Sequence, residues 1–297
     1  MSDGKRRAKG STPARQPLTH FLCVPLVSTA SRPALQSNLE IFRRDVCYAH
    51  DGEPASVQAP AVRPIGTLHL TLGVMSLNRD RLKQAIGVLR ELKLERLLQE
   101  ATLPPRSWQQ DINAPSKTSP APIKQQPLIV TLKGLESMHD PKNTSILYVA
   151  PHDASDRLTN FCLALEKEFR QAGFLIATDR PLKLHATVVN TIYAKRSVFE
   201  DSAPNEPKTQ VGEDGIVRPV RSTGQSGGSG HGPNANAPLK LSALQILDRY
   251  KHFVWASGVV LEKVAICEMA AKNYIDTEGR IVDVQYTTVA SAPLPTS

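Results

Sequence analysis

His69 and Thr71 in GTLHLTLGVM (66–75), and His185 and Thr187 in LKLHATVVNT (182–191), share one arrangement: an imidazole and a hydroxyl two positions apart in an otherwise apolar run. Side chains alternate faces along a strand. His69 and Thr71 therefore point one way and Leu68, Leu70 and Leu72 the other, and His185 and Thr187 likewise oppose Leu184, Ala186 and Val188. A buried imidazole without a partner is costly, so each His/Thr face is expected to line a cleft while the aliphatic face packs on helices. Two such strands facing each other gather two imidazoles and two hydroxyls around one small volume. With an ordinary pKa of about 6.5, one imidazole acts as base while the other, protonated, acts as acid. The hydroxyls donate to phosphate oxygens on which charge develops. This is a constellation for phosphodiester chemistry that calls for no metal or other cofactor. None of His20, His50, His139, His152, His231 or His252 has Ser or Thr two positions later, so the repeated frame is not a by-product of composition.

Two neighbours extend the site. Lys183 and Tyr193 fall on the His185 face by strand alternation, the first either to pair with phosphate or to be solvated at the surface, the second either to stack on a base or to pack at the strand end. Other chemistry is set aside. His20, Cys23, Cys47 and His50 have zinc-like spacings, but positions three apart on a strand point to opposite faces. His139-Asp140 and His152-Asp153 read as loop polarity. No phosphate-binding Walker loop or ordered dinucleotide fingerprint is present.

The elements that must hold these residues follow from periodicity. THFLCVPLV (19–27) reads as a strand, 31–49 as a helix with Ser31 as cap and Pro33 in its first turn, then the His69 strand, then one long helix over 78–101. A Pro/Gln/Ser-rich loop covers 104–127. LIVTLKGLES and SILYVAPHD read as paired strands, 156–173 as an amphipathic helix closed by Gly173, and the His185 strand follows. LSALQILDRYK reads as a short helix, and HFVWASGVVLEKVAICEMA and VQYTTVA supply the last strands. Each half thus carries a strand–helix–strand ending in a His-x-Thr strand, which predicts a single α+β domain of two similar lobes related by a pseudo-twofold.

Residues 1–17 read as a disordered basic tail, 18–292 as the domain, 200–238 as a low-complexity insertion, and 293–297 as a C-terminal tail. The cluster Lys5, Arg6, Arg7, Lys9 reads equally as a nuclear address or a solubilising tail, which places the chain in the nucleus, the cytoplasm or both. At 297 residues and 40% hydrophobic the chain can build a sizeable core. No apolar run is long enough to span a membrane, and four scattered cysteines suit a reducing compartment. The net charge of +8 favours anionic partners such as nucleic acid.

The ordered set THFLCVPL, FRRDV, RPIGTLHLTLGVMSL, LYVAP, LKLHATVVNTIY, RYKHFVWA and LEKVAICEMAAKN, spread between Thr19 and Lys272, resembles the 2H phosphoesterase superfamily. Within it, the set is similar to the A-kinase anchor protein seven-like branch, shared with subunit one of the activating signal cointegrator complex. The resemblance implies a two-lobed fold with a central groove between antiparallel-type sheets, and catalytic roles for His69, Thr71, His185 and Thr187. It implies RNA or nucleotide phosphoester substrates and no metal. Its alternative implication is a nucleotide- or RNA-binding scaffold subunit of a nuclear coactivator or DNA-repair complex. The anchor protein's kinase-binding helix has no counterpart in the closing TTVASAPLPTS, so kinase anchoring is not expected.

Overall fold

A computed structural model describes residues 17–48, 55–102, 126–194, 209–211, 217–219 and 238–296. The apolar faces of the motif strands fix the architecture. Strand β2 (His69–Met75) buries Leu70, Leu72 and Met75, and β5 (Ala186–Asn190) buries Ala186 and Val188. Each is the edge of a four-stranded antiparallel sheet. The first sheet runs β12 (Thr288–Pro293), β9 (Lys263–Glu268), β1 (His20–Pro25), β2. The second runs β5, β4 (Ile146–His152), β3 (Ile129–Ser137), β8 (Val254–Val260). The two motif edges approach each other. Val62 bridges Val189, the Arg63 N–H donates to the Val188 carbonyl at 2.8 Å, and Met75 bridges Leu175. The expected two-lobed α+β architecture is therefore present, with the motif strands facing a common groove.

Helices cross between the lobes. Helix α1 (Arg32–Cys47) buries Leu35, Leu39, Phe42 and Val46 as one helical stripe and lies against β8 of the second sheet, with Asn38 Nδ2 donating to the Trp255 carbonyl at 2.9 Å. Helix α4 (Arg157–Gln171) buries Leu158, Phe161, Cys162, Leu165 and Phe169 and reaches β2 of the first sheet. Gly173, with φ at +71°, ends it in a left-handed turn. Trp255, Phe42, Phe161 and Phe169 are fully buried; each such side chain contributes about 1.5–3 kcal/mol.

Four local expectations are corrected. The 78–101 segment is two helices, α2 (Arg79–Glu91) and α3 (Leu94–Glu100), broken where Leu92 turns extended. On an unbroken helix at about 100° per residue, Leu94 would face about 180° away from Ala85. The break turns Leu94, Leu97 and Leu98 back to the core that Ala85 and Leu89 enter. Ser31 precedes α1 but does not cap it; its hydroxyl donates to the Leu26 carbonyl at 2.7 Å instead. VQYTTVA is not one strand. A hairpin, β10 (Lys272–Ile275) and β11 (Ile281–Gln285), ends inside it, and β12 begins three residues later. Asp276 Oδ1 accepts from the Glu278 and Arg280 N–H groups, which sets the hairpin turn with Gly279 at φ +80°. Segment 293–297 starts within the sheet, for Pro293 pairs with Lys263 and Leu294 is buried.

Helix α5 (Leu244–Tyr250) lies where expected. Of the 200–238 insertion, the described part is a two-stranded pair, β6 (Thr209–Val211) with β7 (Val217–Pro219). The basic cluster at 5–9 and the loop at 104–125 lie outside the described residues. Among the described residues no helix is long and apolar enough to cross a membrane.

Candidate active site

Both His/Thr pairs open into one cavity of about 200 Å³. Its lining includes His69, Thr71, His185, Thr187, Arg63 and Tyr286. Leu68, Leu70 and Leu72 are buried on the opposite side of β2, as period-two alternation requires. Gly73 continues the motif face, and a Cβ there would meet Leu175 Cδ1 at 2.8 Å. Glycine at this position lets the second lobe close on the strand.

The two imidazoles are held alike. His69 Nδ1 lies 2.7 Å from the Thr67 carbonyl and His185 Nδ1 lies 2.7 Å from the Lys183 carbonyl. A carbonyl can only accept, so Nδ1 carries the hydrogen in both rings and Nε2 is left for proton transfer. The Thr71 hydroxyl stands 2.9 Å from His69 Nε2 and donates to it while the ring is neutral. Burial pulls the His69 pKa down to about 4, helped by the charges of His185 and Arg63 and opposed by the Thr67 carbonyl. His69 is therefore neutral at neutral pH. It is boxed by Phe21, with ring centroids 4.8 Å apart, and by the edge of Tyr286 at 5.2 Å. Among the described residues His185 has one ring neighbour, Tyr148, set edge-to-face at 5.4 Å, and its hydrogen bond lies on the solvent side. Tyr148 is anchored by its hydroxyl, which donates to Glu136; burial, then that carboxylate, raises its pKa.

Tyr193 lines the cavity, but not through strand alternation. Strand β5 ends at Asn190 and a helical turn brings Tyr193 in. Lys183 is not in the wall. Residues 181–185 are irregular rather than β, and the lysine ammonium lies 4.6 Å over the Tyr148 ring, which His185 also meets.

Two groups escaped the sequence reading. Arg63 is only 7% exposed, sits between two short 3-10 turns, and stacks its guanidinium 3.6 Å over the Tyr193 ring. Tyr286 accepts a hydrogen bond from Arg63 and shares one with Tyr193, and burial followed by Tyr193 raises its pKa. No carboxylate pairs with Arg63 among the described residues, and none lines the cavity. A buried guanidinium that no carboxylate among the described residues pairs has the chemistry to take an anion. The sequence signal for Arg63 is an arginine inside the apolar stretch VRPIGTLHL; Tyr286 carries none, because it falls between the end of β11 and the start of β12 in VQYTTVA.

Known proteins resemble the chain at several levels. Mouse activating signal cointegrator 1 complex subunit 1 is 28% identical over 189 residues, which is 61% of this chain and 44% of that protein. The chain thus spans under half the length of this curated relative. Among solved structures, E. coli LigT complexed with 3'-AMP aligns over 94% of this chain and 99% of its own, at 13% identity and a TM-score of 0.43. A Thermus thermophilus protein aligns over 93% and 97%, at 13% identity and a TM-score of 0.41. Residues 18–281 match the family described as the AKAP7 2'5' RNA ligase-like domain; the chain belongs to that family, within the 2H phosphoesterase superfamily.

Proposed function

We propose that the chain is a metal-independent phosphodiesterase acting on RNA ends or small nucleotides, cyclic or 2'-5'/3'-5' linked. The observation that carries this reading is the pair of imidazoles, each with Nδ1 fixed by a carbonyl two residues upstream, opening into one cavity with a buried arginine that no carboxylate among the described residues pairs. His69, neutral and enclosed, takes the proton of the attacking hydroxyl or water at Nε2. His185, nearer to solvent, gives a proton to the leaving oxygen. The P–O bond to the nucleophile forms as the bond to the leaving oxygen breaks. Arg63, Thr71 and Thr187 hold the phosphate oxygens as negative charge builds there. Tyr193, already stacked on Arg63, offers a ring face to a base, and Lys183 adds positive charge beside His185.

The donor set also favours chemistry without a metal. Imidazoles, hydroxyls and a guanidinium, with no carboxylate in the lining, are a poor match for a hard divalent cation. Turnover of a 2',3'-cyclic nucleotide and a labelled oligoribonucleotide panel tests the reading: hydrolysis is expected to persist in excess chelator. Loss in chelator with recovery on adding a divalent ion would overturn the mechanism.

A second reading draws on the mouse relative, whose name makes it a complex subunit. In it the groove binds nucleotide or RNA as part of a nuclear assembly without turnover. Nucleotide binding that survives in a folded protein with no hydrolysis anywhere on the panel would select it.

A further inference from the structure

We propose that a second pocket, between β1, β9 and the β11–β12 junction, is a subsite for the phosphate next to the scissile one. The inference deepens the phosphodiesterase reading and rests on it. The pocket measures about 110 Å³ and shares His69, Phe21 and Tyr286 with the active cavity. A chain that places one phosphate against His69 therefore has its next unit directed here.

The pocket's chemistry is set by β9. Val264 and Ile266 enter the main core, so alternation turns Lys263, Ala265 and Cys267 to the groove. Ala265 and Cys267 pack there with Phe21 and Cys23. Lys263 lines the pocket and stands close enough to Cys23 and Cys267 for its charge to favour both thiolates. Arg32, on the other wall, is already held by Asp283 at 2.8 Å. Lys263 has no carboxylate partner among the described residues. The Thr288 hydroxyl is a further donor in the same wall.

An ammonium in a pocket wall with no carboxylate partner among the described residues is suited to a phosphate, whose charge it would meet there. The shared walls of Phe21, His69 and Tyr286 set the pocket beside the active cavity, which favours a phosphate of the substrate itself over a separate effector.

The test separates binding from turnover. By calorimetry, adenosine 3',5'-bisphosphate is expected to bind the full chain about tenfold tighter than either adenosine monophosphate, the scale of one charge-assisted contact. Lys263→Gln should reduce that ratio to about one and leave monophosphate binding unchanged. A ratio near one in the unaltered protein, or an unchanged ratio in the variant, would sink the proposal. Because no hydrolysis is needed, a chain that binds but does not cleave still reports on the subsite. Steady-state kinetics then locate the phosphate. A lower KM for a 5'-phosphorylated dinucleotide alone assigns the pocket to chain ends. A lower KM for a trinucleotide as well assigns it to a running strand, and no gain for either counts against the subsite.

Discussion

The two histidines occupy equivalent places in matching lobes, yet their surroundings differ. His69 is clamped between two aromatic rings, accepts from Thr71, and is held at a pKa of about 4. His185 has one ring neighbour and a more open position, and Thr187 makes no bond to it among the described residues. Sequence symmetry therefore does not carry over into chemical symmetry. The enclosed imidazole is kept neutral and suits a base. The open one suits an acid that is recharged from solvent. Arg63 sharpens the division, because the charge proposed to receive phosphate also discourages protonation of His69.

The comparison breaks most directly at the imidazoles. His69→Ala and His185→Ala should each lower kcat/KM by about two to four orders of magnitude, with the double variant little worse than either. A folded single variant with unaltered turnover would end the paired acid–base account. Arg63→Gln should lower kcat by about two orders of magnitude, in the range for loss of a charge-stabilising donor. It should also move the acid limb of the pH–rate profile upward, since one of the charges depressing His69 is gone; an unmoved limb would detach Arg63 from His69.

Stability gives a third, smaller effect. The folded His69 pKa of about 4 lies below its usual 6.5, so between those values the unfolded chain binds more protons. Stability is then complete above pH 6.5 and falls as pH drops toward 4, by up to about 3 kcal/mol. In urea titrations at pH 7 and pH 4.5, His69→Gln should narrow the gap between midpoints; an unchanged gap would mean that the ring is not held neutral. Smallest of all, Thr71→Ala should cost about tenfold in kcat through loss of a single hydroxyl. Thr187→Ala should cost no more, because only Thr71 also orients its histidine. A larger loss at Thr187 would reverse the ranking of the lobes.

The fold and motif strands were legible because period-two alternation reports which face is buried, and Leu68, Leu70 and Leu72 do lie inward. What was hidden depends on residues brought together from afar. Arg63 lies in a stretch of 3-10 turns with no periodicity, and its value comes from Tyr193 and Tyr286 arriving over it. The break at Leu92 was masked by leucines that fit a helical period on either side of it. Lys183 was projected onto a strand that begins only at Ala186. Tyr286 required the 272–285 hairpin to be seen, and nothing in VQYTTVA alone marks where β11 stops.

The first sheet pairs β1 and β2 with β9 and β12, so the lobe that encloses His69 joins residues 20–25 and 69–75 to residues 263–293. During synthesis the early strands wait with an unpaired edge until the late ones emerge. The second sheet has three of its four strands by residue 190. The lobe of His185 is thus expected to take shape first, and the lobe of His69 last, through contacts of the largest sequence separation and hence the slowest to form. On the proposed mechanism, proton transfer at His69 is expected only after that closure, so that any turnover would report completed folding.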